Sequence, residues 1–245
     1  MSSNLFDNNE FFENYKNIRT KSISYNNLLE QPAIKSLMPE LKNKTLLDLG
    51  CGFGFSCVQF RKKGAAKVIG IDISQKMLDA ARSQNTDENL EFLHLDIDRI
   101  DELGLKFDIV YSSMTMHYIA DFEKTVRKVY DVLGDNGIFL FSQEHPMNTA
   151  PLAGPAWIEN EQGQKTAIAI SNYLENGRRN INWLNQDVVK YHRPFSAIIN
   201  NLAENGFSVL KVVEPMPTQE DLKLAPHMYD EIHRPTAIII KAQKI

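Results

Sequence analysis

The stretch from Thr45 to Lys63 constrains the fold of this chain more than any other. Thr45-Leu-Leu-Asp-Leu49 is a short apolar run that stops at a glycine, so it reads as a buried strand. Gly50, Gly52 and Gly54 follow at alternate positions, and Phe55 to Lys63 then reads as a helix with Gly64 as its stop. The same alternation continues downstream. Val68-Ile-Gly-Ile71, Leu90 to Leu95, Phe107 to Tyr111 and Ile138 to Ser142 read as strands. Ser74 is placed to cap a helix running through Ser83, and Asp121 to cap one whose apolar face is Phe122, Val126, Val129, Tyr130 and Leu133. Strands alternating with helices imply an α/β fold with a mostly parallel sheet and helices on both faces.

The flanks differ. Residues 1–43 read as a helical lead-in, with Phe11, Phe12, Tyr15 and Ile18 as one stripe and Pro32 opening a second short helix. Residues 146–190 break the rhythm. Pro146, Pro151, Gly154 and Pro155 punctuate the start, and Ala167–Tyr173 and Arg178–Leu184 flank Asn176-Gly177, a hairpin signal. This segment is expected to be an inserted cap. The remainder, 191–245, returns to the α/β pattern with a helix over Phe195–Glu204, a stop at Asn205-Gly206 and two strands, Phe207–Val213 and Thr236–Lys241. The expected organisation is therefore a cover (1–43), a main domain (44–145 with 191–245) and a cap (146–190).

Bulk properties narrow the function. The 245 residues suffice for one large domain, and a net charge of −4 argues against a phosphate backbone as the main substrate. Two cysteines, Cys51 and Cys57, are too few for a disulfide scaffold or a zinc site. No apolar run approaches membrane-spanning length, and the polar start lacks a signal sequence, so a cytoplasmic protein is expected. No histidine–carboxylate cluster has metal spacing.

The glycine spacing discriminates among ligands. A dinucleotide fingerprint needs its third glycine where Phe55 stands, and a phosphate loop would end in Gly-Lys-Ser/Thr, which is absent. What remains is a turn that admits an adenosyl ligand without phosphate. Asp48, Asp72 and Asp96 close three consecutive strands, where ligands of open α/β sheets sit. Asp48 can accept from an ammonium group and Asp72 from ribose hydroxyls.

Leu46-Leu-Asp-Leu-Gly-Cys-Gly-Phe-Gly54 resembles the first motif of the class I S-adenosylmethionine-dependent methyltransferases. Val68-Ile-Gly-Ile-Asp-Ile-Ser74 with Met77, Leu95-Asp96-Ile97, Phe107-Asp-Ile-Val-Tyr-Ser112 and Val132-Leu-Gly-Asp-Asn-Gly137 resemble later motifs in the same order, the last with Asp135-Asn136 in place of Pro-Gly. A softer similarity extends to the bacterial small-molecule methyltransferases of the UbiE/type-11 group. The resemblance implies a Rossmann-like seven-stranded sheet with its last strand antiparallel and S-adenosylmethionine as cofactor. It implies cofactor contacts from Gly50, Cys51 (backbone only), Gly52, Gly54, Asp48, Asp72, Ile73, Met77, Asp96, Ile97 and Ser112, and from Tyr15 and Arg19 of the cover.

The expected reaction is in-line transfer of a methyl group to a small-molecule acceptor, by a monomer or homodimer. His145 and His117, which follow strands, are the candidate catalytic bases, with His192 behind them. Arg178, Arg179 and Arg193 are candidates to hold an acidic acceptor, and Trp157, Tyr173 and Trp183 either line its pocket or form the cap's own core. Two alternatives stay open: an RNA or protein methyltransferase with the cap as docking surface, and a non-catalytic adenosylmethionine-binding module. A basic stripe above the pocket would favour the former, and binding without turnover the latter.

Overall fold

A computed structural model describes residues 4–154 and 156–245. Pro155, one of the expected punctuating residues, lies outside the described residues. The lead-in forms α1 (Asn9–Thr20), capped by the Asn8 side chain, then a five-residue π turn (Asn26–Glu30) and α2 (Gln31–Leu37) with Pro32 in its first turn. The main alternation follows as β1 (Thr45–Leu49), α3 (Phe55–Lys62), β2 (Lys67–Asp72), α4 (Gln75–Ser83), β3 (Leu90–His94), β4 (Phe107–Ser112), α5 (Phe122–Val132) and β5 (Leu133–Glu144). The expected caps are present: Ser74 accepts from the Met77 N–H and Asp121 from the Lys124 N–H.

After the one-turn α6 (Pro146–Thr149) come two antiparallel pairs. These are β6 (Ala156–Glu159) with β7 (Lys165–Ala169), and β8 (Gly177–Trp183) with β9 (Gln186–His192). The chain ends with α7 (Phe195–Glu204), β10 (Phe207–Val213), α8 (Gln219–Leu224) and β11 (Ala237–Lys244).

Seven strands form one sheet in the order β10-β11-β5-β4-β1-β2-β3. Strands β1 to β5 are mutually parallel, and β11 runs antiparallel to both β5 and β10. From β1 the chain moves outward to β2 and β3, then returns to β4 on β1's other side. The crevice at that reversal lies beyond the carboxyl ends of β1 and β4, where open α/β sheets bind ligands. Alternate strand residues supply the two faces. Leu47, Ile69, Val110 and Ile240 pack with Val126, Val129, Ile198 and Leu202 of α5 and α7. Leu46, Val68, Ile109 and Ile239 pack with Ile34, Cys57, Phe60 and Leu78 of α2, α3 and α4.

Two local expectations are corrected. Asp135-Asn136-Gly137 does not precede the fifth strand but bulges from within it. Leu133 pairs with Phe107 and Ile138 with Ile109, so the four residues between them are looped out, with Asn136 at φ 59°. The hairpin is not turned at Asn176-Gly177. Gly177 opens β8 instead, and the turn is made by Leu184 and Asn185, both at positive φ, with Trp183 paired to Gln186. A second hairpin, β6–β7, also forms, and its strand β7 takes up the first residues of the expected Ala167–Tyr173 segment, which therefore pairs with β6 and not with β8.

Candidate active site

The glycine loop is shaped by three left-handed residues, Gly50 (φ 73°), Gly52 (φ 52°) and Gly54 (φ 72°). They serve different ends. A Cβ on Gly50 would lie 2.5 Å from Thr115 Oγ1, and one on Gly54 2.4 Å from the Phe92 ring, so these two permit close packing. A Cβ on Gly52 would meet no protein atom, which leaves the space before it open for a ligand. The loop is pinned from below, since the Gly50 and Cys51 N–H groups both donate to Ile71 O. Asp72, at the end of β2, accepts from the Gly52 N–H at 2.9 Å and the Ser74 N–H at 2.8 Å. Burial raises its carboxyl above the usual range despite those bonds.

Above the loop lies a cavity of about 570 Å³, a size suited to a small ligand. Of the expected cofactor residues, Tyr15, Arg19, Gly50, Gly52, Asp72, Ile73, Met77, Asp96 and Ile97 line it. Asp48 and Cys51 line a small adjoining recess that also shares Tyr15 and Arg19. Two expected contacts lie elsewhere. Gly54 backs onto Phe92, and Ser112 is fully buried with its hydroxyl donating to Leu49 O at 2.9 Å. Asp48 is 2% exposed, and its one side-chain partner is the Cys57 thiol at 3.1 Å. Burial pushes its carboxyl up to about 7, the Cys57 bond and the Arg19 charge opposing and Asp72 assisting.

The histidines separate. His117 lines the cavity, in a 3-10 turn (Met116–Tyr118) after β4. Its Nδ1 accepts the Glu144 N–H at 3.2 Å, so the neutral ring carries its hydrogen on Nε2. Burial drives its pKa down to about 4, with Lys190 and Arg193 assisting and Glu144 opposing. His145 does not line the cavity. Its Nδ1 accepts the Met147 N–H and its Nε2 meets Glu214 at 2.8 Å, so both nitrogens are engaged in holding α6. His192 is likewise committed, to Thr149 Oγ1 and Tyr173 O.

The candidate arginines are also occupied. Arg179 is buried and gives its N–H groups to the carbonyls of Ala150, Glu175, Gly177 and Arg178. Arg193 bonds the carbonyls of Met116, Tyr191, Ile119 and Ala120, which holds the His117 turn in place. Arg178 bonds Asn180 on the surface. Of the three cap aromatics, Trp183 alone lines the cavity, packed edge-on against Phe11 at 5.5 Å and Tyr15 at 5.9 Å.

Sequence reasoning passed over three residues that build this site. Glu144, the last residue of β5, lines the cavity and pairs with the buried Lys190. Burial alone would raise its carboxyl. The His117 ring and the Lys190 ammonium outweigh that and hold it below the usual range. It carries the same strand-end signal as Asp72, which could have found it. Glu30 is fully buried and accepts from the Ser113 and Ser142 hydroxyls at 2.7 and 2.6 Å, tying the lead-in to the ends of β4 and β5. Thr115 fills the space beside Gly50. No sequence signal marks these last two. Among the described residues no group of three or more His, Cys, Asp or Glu is placed to hold a metal ion, and no helix is long and apolar enough to cross a membrane.

Residues 40–190 match the model of a family described as methyltransferase domain. The chain belongs to the class I S-adenosylmethionine-dependent methyltransferases. A Haemophilus influenzae protein without a functional name is 38% identical to this methyltransferase over 98% of this chain and 97% of its own. A solved S-adenosylmethionine-dependent methyltransferase from Mesorhizobium loti superposes with a TM-score of 0.81 at 34% identity, covering 88% of this chain and 97% of that one. The malonyl-[acyl-carrier protein] O-methyltransferase of Acetivibrio thermocellus is 35% identical over 98 residues, 40% of this chain and 34% of that protein.

Proposed function

We propose that this methyltransferase transfers the methyl group of S-adenosylmethionine to a small-molecule acceptor, both held in the cavity above the glycine loop. The observation that carries the reading is that one cavity is walled at once by the glycine loop, by α1 and by the β8–β9 hairpin, through Gly50, Gly52, Tyr15 and Trp183. A pocket closed over by aromatic side chains suits a small acceptor better than a polymer. In this reading residues 1–43 act as a cover and the inserted hairpins as a cap whose second strand reaches His192, the remaining chain forming the main domain.

The cofactor assignments follow the lining. Asp72 holds the ribose hydroxyls. Ile73, which is 48% exposed toward the cavity, packs on the adenine with Met77 and Ile97, and Asp96 lies at its edge. The backbone of Gly50 to Gly52 carries the amino-acid portion, with Asp48 toward its ammonium and Arg19 and Tyr15 closing over it. Once bound, S-adenosylmethionine supplies an activated methyl on sulfur, so the chain's residues chiefly align the acceptor with it. His117 serves as a donor: its Nδ1 is taken by a backbone N–H, and Nε2 offers a hydrogen and not a lone pair. That tautomer, and a pKa near 4, remove it from the role of general base.

The test is incubation with methyl-labelled S-adenosylmethionine and fractionated cell extract. Label is expected in low-mass product. Label confined to RNA or protein would replace this reading with the macromolecular one, and tight binding without turnover would point to a non-catalytic module.

A further inference from the structure

From the chemistry of the acceptor side of the cavity we infer that the acceptor is an amine, positioned with its nitrogen toward Glu144 and its body against Trp183 and Tyr118. The inference rests on the small-molecule reading above and deepens it.

A carboxylate or phosphate acceptor needs a cation to replace its water. Among the described lining residues the one cation is Arg19, which sits at the glycine-loop end beside Asp48. Lys190 is buried behind the wall and spent on Glu144. Arg179 and Arg193 are spent on backbone carbonyls. An anionic acceptor would therefore meet the Glu144 carboxylate with no cation free to receive it.

A phenol or alcohol must lose its proton to attack, and among the described residues the acceptor side of the cavity offers no base matched to that task. His117 presents N–H, and the Glu144 carboxyl is held below its usual range by its neighbours, far under a phenol's value near 10. An amine needs no base at the moment of transfer. It enters neutral, donates an N–H to Glu144, and attacks through its lone pair. The new N–C bond forms as the C–S bond breaks. The bonding pair stays on sulfur, which becomes a neutral thioether, and the positive charge passes to nitrogen. Glu144 lies against that charge, and the product leaves as the methylated ammonium, which gives up its surplus proton in solvent.

Trp183 and Tyr118 both line the cavity. Ring faces attract cations, which suits the charged product and an alkylammonium in equilibrium with its neutral form. The Lys190 ammonium already lies 5.5 Å from the Trp183 ring, so this ring does hold a cation on one side.

The experiment has two arms. In the first, the full chain saturated with S-adenosylhomocysteine is titrated calorimetrically with phenethylamine and tryptamine, and with their counterparts 3-phenylpropionate and indole-3-propionate. The amines are expected to bind at least tenfold more tightly. Glu144→Gln is expected to remove that preference while leaving S-adenosylhomocysteine affinity within threefold. Because Glu144 pairs with a buried lysine, Trp183→Leu is measured as well, with amine affinity expected to fall about tenfold while the ion pair is left in place. In the second arm, labelled low-mass product from extract is expected to be retained on cation exchange and to survive base. Acids binding as well as amines, or a base-labile methyl ester or a methyl ether as product, overturns the inference while leaving the small-molecule reading intact. Label found only in macromolecules overturns that reading, and this inference falls with it.

Discussion

Asp48 is a residue whose burial works against folding at neutral pH. Its carboxyl is buried, bonded by one thiol, and titrates near pH 7. Its folded pKa lies above the unfolded value, so its contribution favours folding at low pH and is lost as the pH rises through about 7. Asp48→Asn is expected to stabilise the ligand-free protein at pH 8, on the order of 2–4 kcal/mol by thermal denaturation. The same change is expected to weaken S-adenosylmethionine binding at least tenfold by calorimetry. His117 works in the opposite direction. Its folded pKa, about 4, lies below the ordinary 6.5. Its stability is complete above pH 6.5 and declines as the pH falls toward 4, by roughly 3 kcal/mol. Urea denaturation at pH 7 and pH 4.5 should show this loss, and His117→Asn should remove most of it. The strand-end aspartates were legible because a parallel sheet brings all its carboxyl ends to one edge. His145 follows directly on Glu144, and because adjacent residues of extended chain face opposite ways it is Glu144 that lines the cavity.

At the scale of elements, local chemistry was readable wherever it acted locally. Ser74 and Asp121 cap helices because their side chains accept from N–H groups three residues on. Pro32 and Gly64 bound helices for backbone reasons alone. The hairpin turn was not readable, because cross-strand pairing decides it. Asn176-Gly177 is the stronger turn dipeptide, yet pairing from Gly177–His192 to Trp183–Gln186 places Leu184 and Asn185 at the tip. Two positive φ values in a two-residue loop make it a type I′ turn, which disfavours leucine at its first position. Leu184→Asn is therefore expected to stabilise the protein by about 1 kcal/mol, seen as a melting temperature higher by about 2–4 °C. An unchanged or lower value would mean that the packing of the half-buried Leu184 outweighs its backbone strain.

At the scale of the molecule, the seven-stranded sheet with its antiparallel last strand was available through family resemblance, which also led to the expectation that the lead-in is a cover. The alternating pattern alone predicts a parallel sheet without its order. The closure of the cavity was not available at all, since it joins Tyr15 near one end of the chain to Trp183 far along it. The link between α1 and the π turn, residues 21–24, is largely exposed. Trypsin should cut at Lys21 in the free protein, and saturating S-adenosylhomocysteine should slow that cut severalfold, read by mass spectrometry of the fragments. The seam between α1 and the β8–β9 hairpin has a further consequence, for timing. Its edge-on contacts of Trp183 with Phe11 and Tyr15 are not covalent, so the seam can open and widen the mouth of the cavity. Alignment of the two ligands favours fast chemistry, and release of the spent cofactor is expected to wait on that opening. Product formed within the first turnover should then exceed the steady rate that follows, as a burst in rapid-quench measurements. Trp183→Leu should shrink that burst by speeding release.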